Sequence, residues 1–190
     1  MNTKLLLAFL SFFWLISSLG FSQDPMFTQY WTSPLYLNPG LAGSVNEPRV
    51  NFNTRLQWAR LPKAFTTHAA SVDYLVDEWS SAFGILAITD KAGSANLRNT
   101  GVHGTYAAKV RITEGWVFSP AVMFGYATRS IDFDKLVFGD QIIHNGPTAD
   151  DAIGHLGNRG YFDFSTGGVI YKRMMWIGFS AFHLNQPNYS

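Results

Sequence analysis

The stretch NTGVHGTYAAKVRITEGWVFSPAVMFGYATR, residues 99–129, decides the fold. It reads as two extended strands joined by a tight turn near residues 113–115, both alternating with period two. On the first, Val102, Gly104, Tyr106, Ala108, Val110 and Ile112 share a face, and Asn99, Gly101, His103, Thr105, Ala107, Lys109 and Arg111 share the other. On the second, Trp116, Phe118, Pro120, Val122, Phe124, Tyr126 and Thr128 lie opposite Val117, Ser119, Ala121, Met123, Gly125, Ala127 and Arg129. Both runs exceed the roughly five or six residues of an ordinary soluble strand. Each has one greasy face, with aromatics towards its ends, and one small or polar face. A tilted strand needs about 9–11 residues to cross a bilayer, and strands that do so alternate in this way. The pair predicts an all-β, antiparallel transmembrane β-barrel.

Composition agrees. Of 190 residues, 14% are charged and 16% aromatic. A soluble domain averages about 25% charged residues, and a lipid-facing wall needs far fewer. The net charge is +1, with no basic patch, so a nucleic-acid partner has no support. The absence of Cys excludes disulfides and thiol catalysis. At the start, Lys4 precedes an apolar run over residues 5–16, followed by the small residues Ser17, Ser18, Gly20 and Ser22. This predicts a signal peptide over residues 1–22, cleaved next to Gln23. The alternative, an N-terminal anchor, is disfavoured by the shortness of the run. No later run of 18 apolar residues occurs, so crossing a membrane requires strands.

Residues 23–46 are not a strand. Pro25, Pro34 and Pro39 interrupt them, yet Phe27, Tyr30, Trp31, Leu35, Tyr36 and Leu37 are more apolar bulk than a disordered leader needs. The reading is an ordered, irregular periplasmic segment packed against or plugging the barrel, with Asn38-Pro39-Gly40 as a fixed turn; a short amphipathic helix between the prolines is the alternative. Phe27, Tyr30, Trp31, Tyr36, Asn38 and Pro39 are its candidate partner-binding residues.

Residues 47–190 hold the barrel strands. Expected strands cover residues 50–58, with Asn51, Asn53, Arg55 and Gln57 inward; 65–74, with Thr67, Ala69, Ser71 and Asp73 opposite His68, Ala70, Val72 and Tyr74; and 81–89. The inward set of the last, Ala82, Gly84, Leu86 and Ile88, is less polar than expected. Asp90-Lys91-Ala92-Gly93 is expected to open a loop. After the central pair comes a long outer loop near residues 130–160, and then strands at 161–172 and 175–184. Arg55, Asp73, Lys109, Arg111, Asp163 and Arg173 are candidates to pair inside, and His68 and His183 to sit on the greasy face. Inward Gly84, Gly101, Ala107, Gly125 and Gly167 suit a packed interior or a plug. Longer connections fall after odd strands, as outer loops do when the N-terminus is periplasmic. Seven strands cannot close alone, so the sequence is expected to be the N-terminal part of a larger barrel.

No catalytic constellation, nucleotide loop, cofactor motif or metal-ligand spacing is present among His68, His103, His144, His155 and His183. Asp150-Asp151 could assist a calcium ion in the outer loop, but the favoured reading is a solvated loop. A general porin, a lipid-modifying barrel enzyme using His144 or His155, and a soluble sandwich are the competing readings.

The chain resembles the PorP/SprF family of outer-membrane proteins of the type IX secretion system. The resemblance rests on Gln23-Asp24-Pro25-Met26-Phe27-Thr28-Gln29-Tyr30, on Pro34-Leu35-Tyr36-Leu37-Asn38-Pro39-Gly40-Leu41-Ala42-Gly43 and on Arg49-Val50 leading to Arg55-Leu56-Gln57-Trp58. Further matches are Ala70-Ser71-Val72-Asp73, Asp90-Lys91-Ala92-Gly93, Phe138-Gly139-Asp140-Gln141 and His183-Leu184-Asn185-Gln186-Pro187-Asn188. Gly40 stands where the family more often has alanine. The resemblance implies a non-enzymatic role in secretion or surface attachment of cargo such as gliding adhesins in Bacteroidota. It also implies association with periplasmic and outer-membrane parts of the machine and contact with outer-membrane lipid. It implies no cofactor and no catalytic residues.

Overall fold

The computed structural model describes residues 24–60, 64–93, 97–131 and 158–186. Among them, eight strands form one antiparallel sheet: β1 (Arg49–Gln57), β2 (Phe65–Val76), β3 (Ser81–Ala92), β4 (Leu97–Ala108), β5 (Val110–Thr113), β6 (Trp116–Ser130), β7 (Arg159–Lys172) and β8 (Met175–Ala181). The order is β1-β2-β3-β4-β6-β7-β8, with β5 paired to β6 beyond the end of β4. β4 and β5 together make one interrupted stave. The sheet curls as an open half-barrel of seven staves, edged by β1 and β8. The antiparallel all-β expectation holds; the described residues form an open wall and not a closed ring.

The alternation in the sequence becomes an inside-out sheet. Val50, Phe52, Ile85, Val102, Phe124 and Phe162 lie on the convex face and are exposed, Val50 and Phe162 at 77%. Thr67, Ser71, Asp73, Thr105, Ser119, Asp163 and Ser165 face the concave side and are buried. In water this arrangement wastes the main driving force of folding, about 25 cal/mol for each Å² of apolar surface left uncovered. A bilayer removes that penalty.

Large aromatics gather at the two ends of the convex face. At one end Trp79 meets Phe83 (6.3 Å between ring centroids), Phe83 meets Tyr106 (5.5 Å), and Lys172 Nζ lies 5.8 Å from the Trp116 ring. At the other end Trp58 packs edge-on against Phe65 (5.2 Å) and Tyr126 against Phe162 (5.3 Å). Ten residues of β6 separate Trp116 from Tyr126. At about 3.3 Å per residue and a tilt near 40°, that spans about 25 Å of height, the thickness of an outer-membrane apolar band.

Four expectations are corrected. Asp90, Lys91 and Ala92 belong to β3 and do not open a loop: they pair with Asn99, Arg98 and Leu97, and Thr67 Oγ1 donates to Asp90 Oδ1 at 2.6 Å. The turn begins at Gly93, whose φ of +67° suits glycine. The stave over residues 99–112 is interrupted only at Lys109, and its register on β6 carries across the gap, Ala107 facing Ala121 and Val110 facing Phe118. The last strand ends at Ala181, not 184, and His183 turns into the concave side instead of sitting on the greasy face. Arg111 and Arg173 are exposed at the turn end and do not pair inside.

Past Ala181 the chain still shields β7. The Asn185 amide accepts from Phe164 N (3.1 Å) and donates to Phe162 O (2.7 Å), while Leu184 N donates to Phe164 O (2.8 Å). A side-chain amide thus stands in for a neighbouring strand and blunts an otherwise open edge. Residues 132–157, with the outer-loop acids, His144, His155 and Phe138-Gly139-Asp140-Gln141, lie outside the described residues, as does the expected signal peptide.

Candidate functional site

The concave face holds the chain's own N-terminal segment, laid along the wall. It is built from short turns: a 3-10 turn at Tyr30–Thr32, one α turn at Pro34–Leu37 and a 3-10 turn at Pro39–Leu41. Pro34 and Pro39 each open a turn, where a missing N–H costs nothing. Between them Asn38 is extended and caps the second turn, its Oδ1 accepting from Gly40 N at 2.8 Å.

The wall beneath is made of small residues. Ala82, Ala107, Ala121, Gly167 and Ser180 sit opposite one another across successive strands, forming a shallow trough. The segment fills it closely. A Cβ on Gly40 would come 2.7 Å from Ser119 O, and one on Gly167 would come 2.5 Å from Asn38 Oδ1. Leu35 is fully buried over Gly84 and Leu86. This accounts for the apolar inward residues of β3: they are the floor of a core shared with Phe27, Leu35 and Ala42.

Polar contacts fix the segment in register. Asn38 Nδ2 donates to Phe179 O (2.8 Å) and Gly168 O (3.4 Å). Ser119 Oγ donates to Gly40 O at 2.7 Å, and Lys109 Nζ donates to Ser119 Oγ (2.9 Å) and to the Gly40 and Ala42 carbonyls. Asp73, 1% exposed, accepts from Gly43 N (2.7 Å) and, in a fork, from Arg49 Nε and Nη2 (both 3.0 Å). Arg49 Nη2 also donates to Leu41 O at 2.9 Å. The buried carboxylate is therefore fully committed, as a charge taken out of water must be.

The leading end is held differently. Phe27 packs edge-on against Tyr36 at 5.5 Å, and the Tyr36 hydroxyl donates to Pro25 O. Burial raises the Tyr36 phenol well above its ordinary pKa, with Asp24 and Asp90 adding to the effect. Asp24 reaches His183 Nε2 at 2.8 Å, while His183 Nδ1 lies 2.7 Å from Asp163 Oδ1. Ionised carboxylates only accept, so both ring nitrogens donate and the ring is imidazolium. The hydrogen bonds to Asp163 and then Asp24 push His183 up to about 10, against the opposing effect of burial.

Of the six candidate partner-binding residues, Phe27, Tyr36, Asn38 and Pro39 are engaged within the segment and trough. Tyr30 and Trp31 are 47% and 58% exposed and pack edge-on at 5.1 Å. They are carried by Thr32, whose hydroxyl donates to Asn53 Oδ1 (2.7 Å) and whose carbonyl accepts from Asn53 Nδ2 (3.1 Å). Of the expected interior charges, Asp73 pairs with Arg49, Lys109 with carbonyls of the segment and Asp163 with His183; Arg55 donates to Gln57. The His103–Asp163–His183–Asp24 grouping was not anticipated. Alternation alone places His103 and Asp163 inward, but nothing in the sequence brings Asp24 to them. No group of three or more His, Asp or Glu among the described residues could hold a metal ion.

A sheet greasy outside and polar inside, with an ordered leader along its hollow, is matched over residues 19–190 by the family model for the type IX secretion system membrane protein PorP/SprF. The chain belongs to the PorP/SprF family. It is a non-enzymatic outer-membrane component of the type IX secretion system, and membership favours that role over a general porin. No curated protein and no solved structure matches the chain.

Proposed function

We propose that this PorP/SprF protein is a transmembrane β-barrel that aids secretion or surface attachment of cargo such as gliding adhesins, presenting its seated N-terminal segment to components of the machine. The observation that carries the reading is the exposed Tyr30–Trp31 pair on a segment otherwise locked into the wall. A rigidly mounted aromatic pair is the kind of surface from which binding energy is drawn. In this reading the convex face meets lipid, and a closed barrel leaves neither the β1 nor the β8 edge unpaired, since lipid offers backbone groups no partner. The segment enters β1 from the side of the short turns at residues 77–80, 114–115 and 173–174, which in outer-membrane barrels is periplasmic. Cleavage next to Gln23 would leave Asp24, already bound to His183, at the head of the mature chain.

The test is Tyr30→Ala with Trp31→Ala in the native cell. Barrel abundance in the outer membrane should be unchanged, because neither ring is buried in the core. Cargo in the medium or on the surface should fall by about tenfold or more, as loss of an aromatic hot spot implies. Unchanged cargo would remove the segment from partner binding. Ion conductance by the purified barrel, with cargo export intact after its deletion, would favour the porin reading instead.

A further inference from the structure

The seated segment is fastened in two ways. Over residues 38–43 it is anchored by hydrogen bonds buried in the trough. Its leading end instead reaches the wall through the half-exposed carboxylate of Asp24. His183, which receives it, has φ of +55°, a backbone state that costs a non-glycine residue energy and persists only when its surroundings hold it. Holding it are Asp163 and Asp24 on the ring, and Ser165 Oγ accepting from His183 N at 3.3 Å.

Beneath this bridge lies a cavity of about 60 Å³, bordered by Asp24, Pro25 and Tyr36 on one side and His103, Met123 and Asp163 on the other. That volume suits a few waters at most. His103 is buried, with its ring set against two inward glycines; a Cβ on Gly101 would come 2.8 Å from its Nε2. Its Nδ1 has no hydrogen-bond partner and stands 3.7 Å from Asp163 Oδ2. A strained bridge over an unsatisfied buried imidazole describes a closed state held by few contacts.

We infer that Asp24, His183 and Asp163 form a releasable clasp, whose opening lifts residues 24–26 from the cavity and exposes His103 while Phe27 in the core, Thr32 on Asn53 and residues 34–44 stay seated. The groups facing the bridge are Asp24 and Tyr36 on the segment, Asp90 on β3, His103 on β4 and Tyr161 and Asp163 on β7. Arg55 on β1 and Arg129 on β6 act on Tyr36 and Tyr161; His183 is the cation that joins Asp24 to Asp163, so losing its proton removes that joint. With its pKa raised to about 10, the clasp is fully closed below about 6.5 on the His183 side and opens as pH rises through about 10.

The chain has no Cys, so an introduced one is its sole thiol. Met123→Cys reports the cavity floor, Leu35→Cys the anchored part, and Met174→Cys, in an exposed turn, the intrinsic reactivity at each pH. Each is placed in the full-length protein in outer membranes and labelled with a small neutral thiosulfonate. With Asp24→Asn or, separately, His183→Gln, labelling of the cavity-floor thiol relative to the exposed-turn thiol should rise about tenfold or more, the opening expected when a charge-assisted hydrogen bond is lost. Labelling of the thiol in the anchored part should keep the rate it has without those changes. With the clasp intact, labelling at the cavity floor should rise with pH. Equal rates at the cavity floor in all backgrounds would overturn the clasp. So would a parallel rise in the anchored part, which would mean that the segment leaves as one body.

Discussion

Asp73 gathers an incoming loop, the start of β1 and the second stave onto one carboxylate. Its partners are Gly43 N and the fork of Arg49, and Arg49 in turn holds Leu41 O and Ser44 Oγ. Removing the guanidinium strands a buried anion, which typically costs about 3–5 kcal/mol. Arg49→Ala should therefore lower stability sharply in urea titrations of the folded protein. Asp73→Asn with Arg49→Met, which leaves no charge behind, should recover much of the loss; equal damage from both would show that packing, not charge, is what matters there. His183 carries the opposite pH signature to an ordinary carboxylate. Its pKa is raised from 6.5 to about 10, so its contribution to stability is complete below 6.5 and disappears as pH rises through 10. Wild type should lose stability relative to His183→Gln across that window, and a difference that stays flat from about pH 6 to about pH 10.5 would remove the ionic bridge.

At the scale of elements, the seat is a row of absent side chains. Gly40 on the segment and Gly167 on β7 approach surfaces that a larger residue cannot share. Gly167→Leu should leave the strands paired, since its backbone is ordinary, but evict residues 38–40 from the trough. Proteolysis in membranes should then cut within residues 24–44 while the strands stay protected; a segment equally resistant in wild type and variant would contradict the seat. The elements also show what could be read beforehand. Period-two alternation marked the inward and outward faces of β1, β2, β4, β6 and β7, because a lipid-facing wall forces that pattern on every residue. It failed where a long-range contact takes over. His183 leaves its strand for Asp163 and Asp24, and Asp90 stays in β3 through Thr67. The inward Ala82, Gly84, Leu86 and Ile88 looked anomalous only because Leu35, which covers them, lies far upstream.

For the molecule as a whole, the question is what covers the convex face. Val102 and Phe124 lie near the middle of β4 and β6, whereas Trp79 lies in the turn beyond the end of β2. All three are exposed, so in water an arginine at any of them would be harmless or would even improve solubility. In a bilayer the cost depends on depth: about 2–4 kcal/mol at the midplane, falling to about 0–1 near the interface. Val102→Arg and Phe124→Arg should each destabilise the protein folded in lipid vesicles by the larger amount, and Trp79→Arg by the smaller. Urea titration in vesicles, read by tryptophan fluorescence, measures all three against wild type. The graded order follows from position along the strands alone, without any contact inside the protein, because none of the three side chains belongs to the core or the cavity of the seated segment. Three equal and negligible changes would mean that the convex face meets water, and the transmembrane wall would then have to be abandoned.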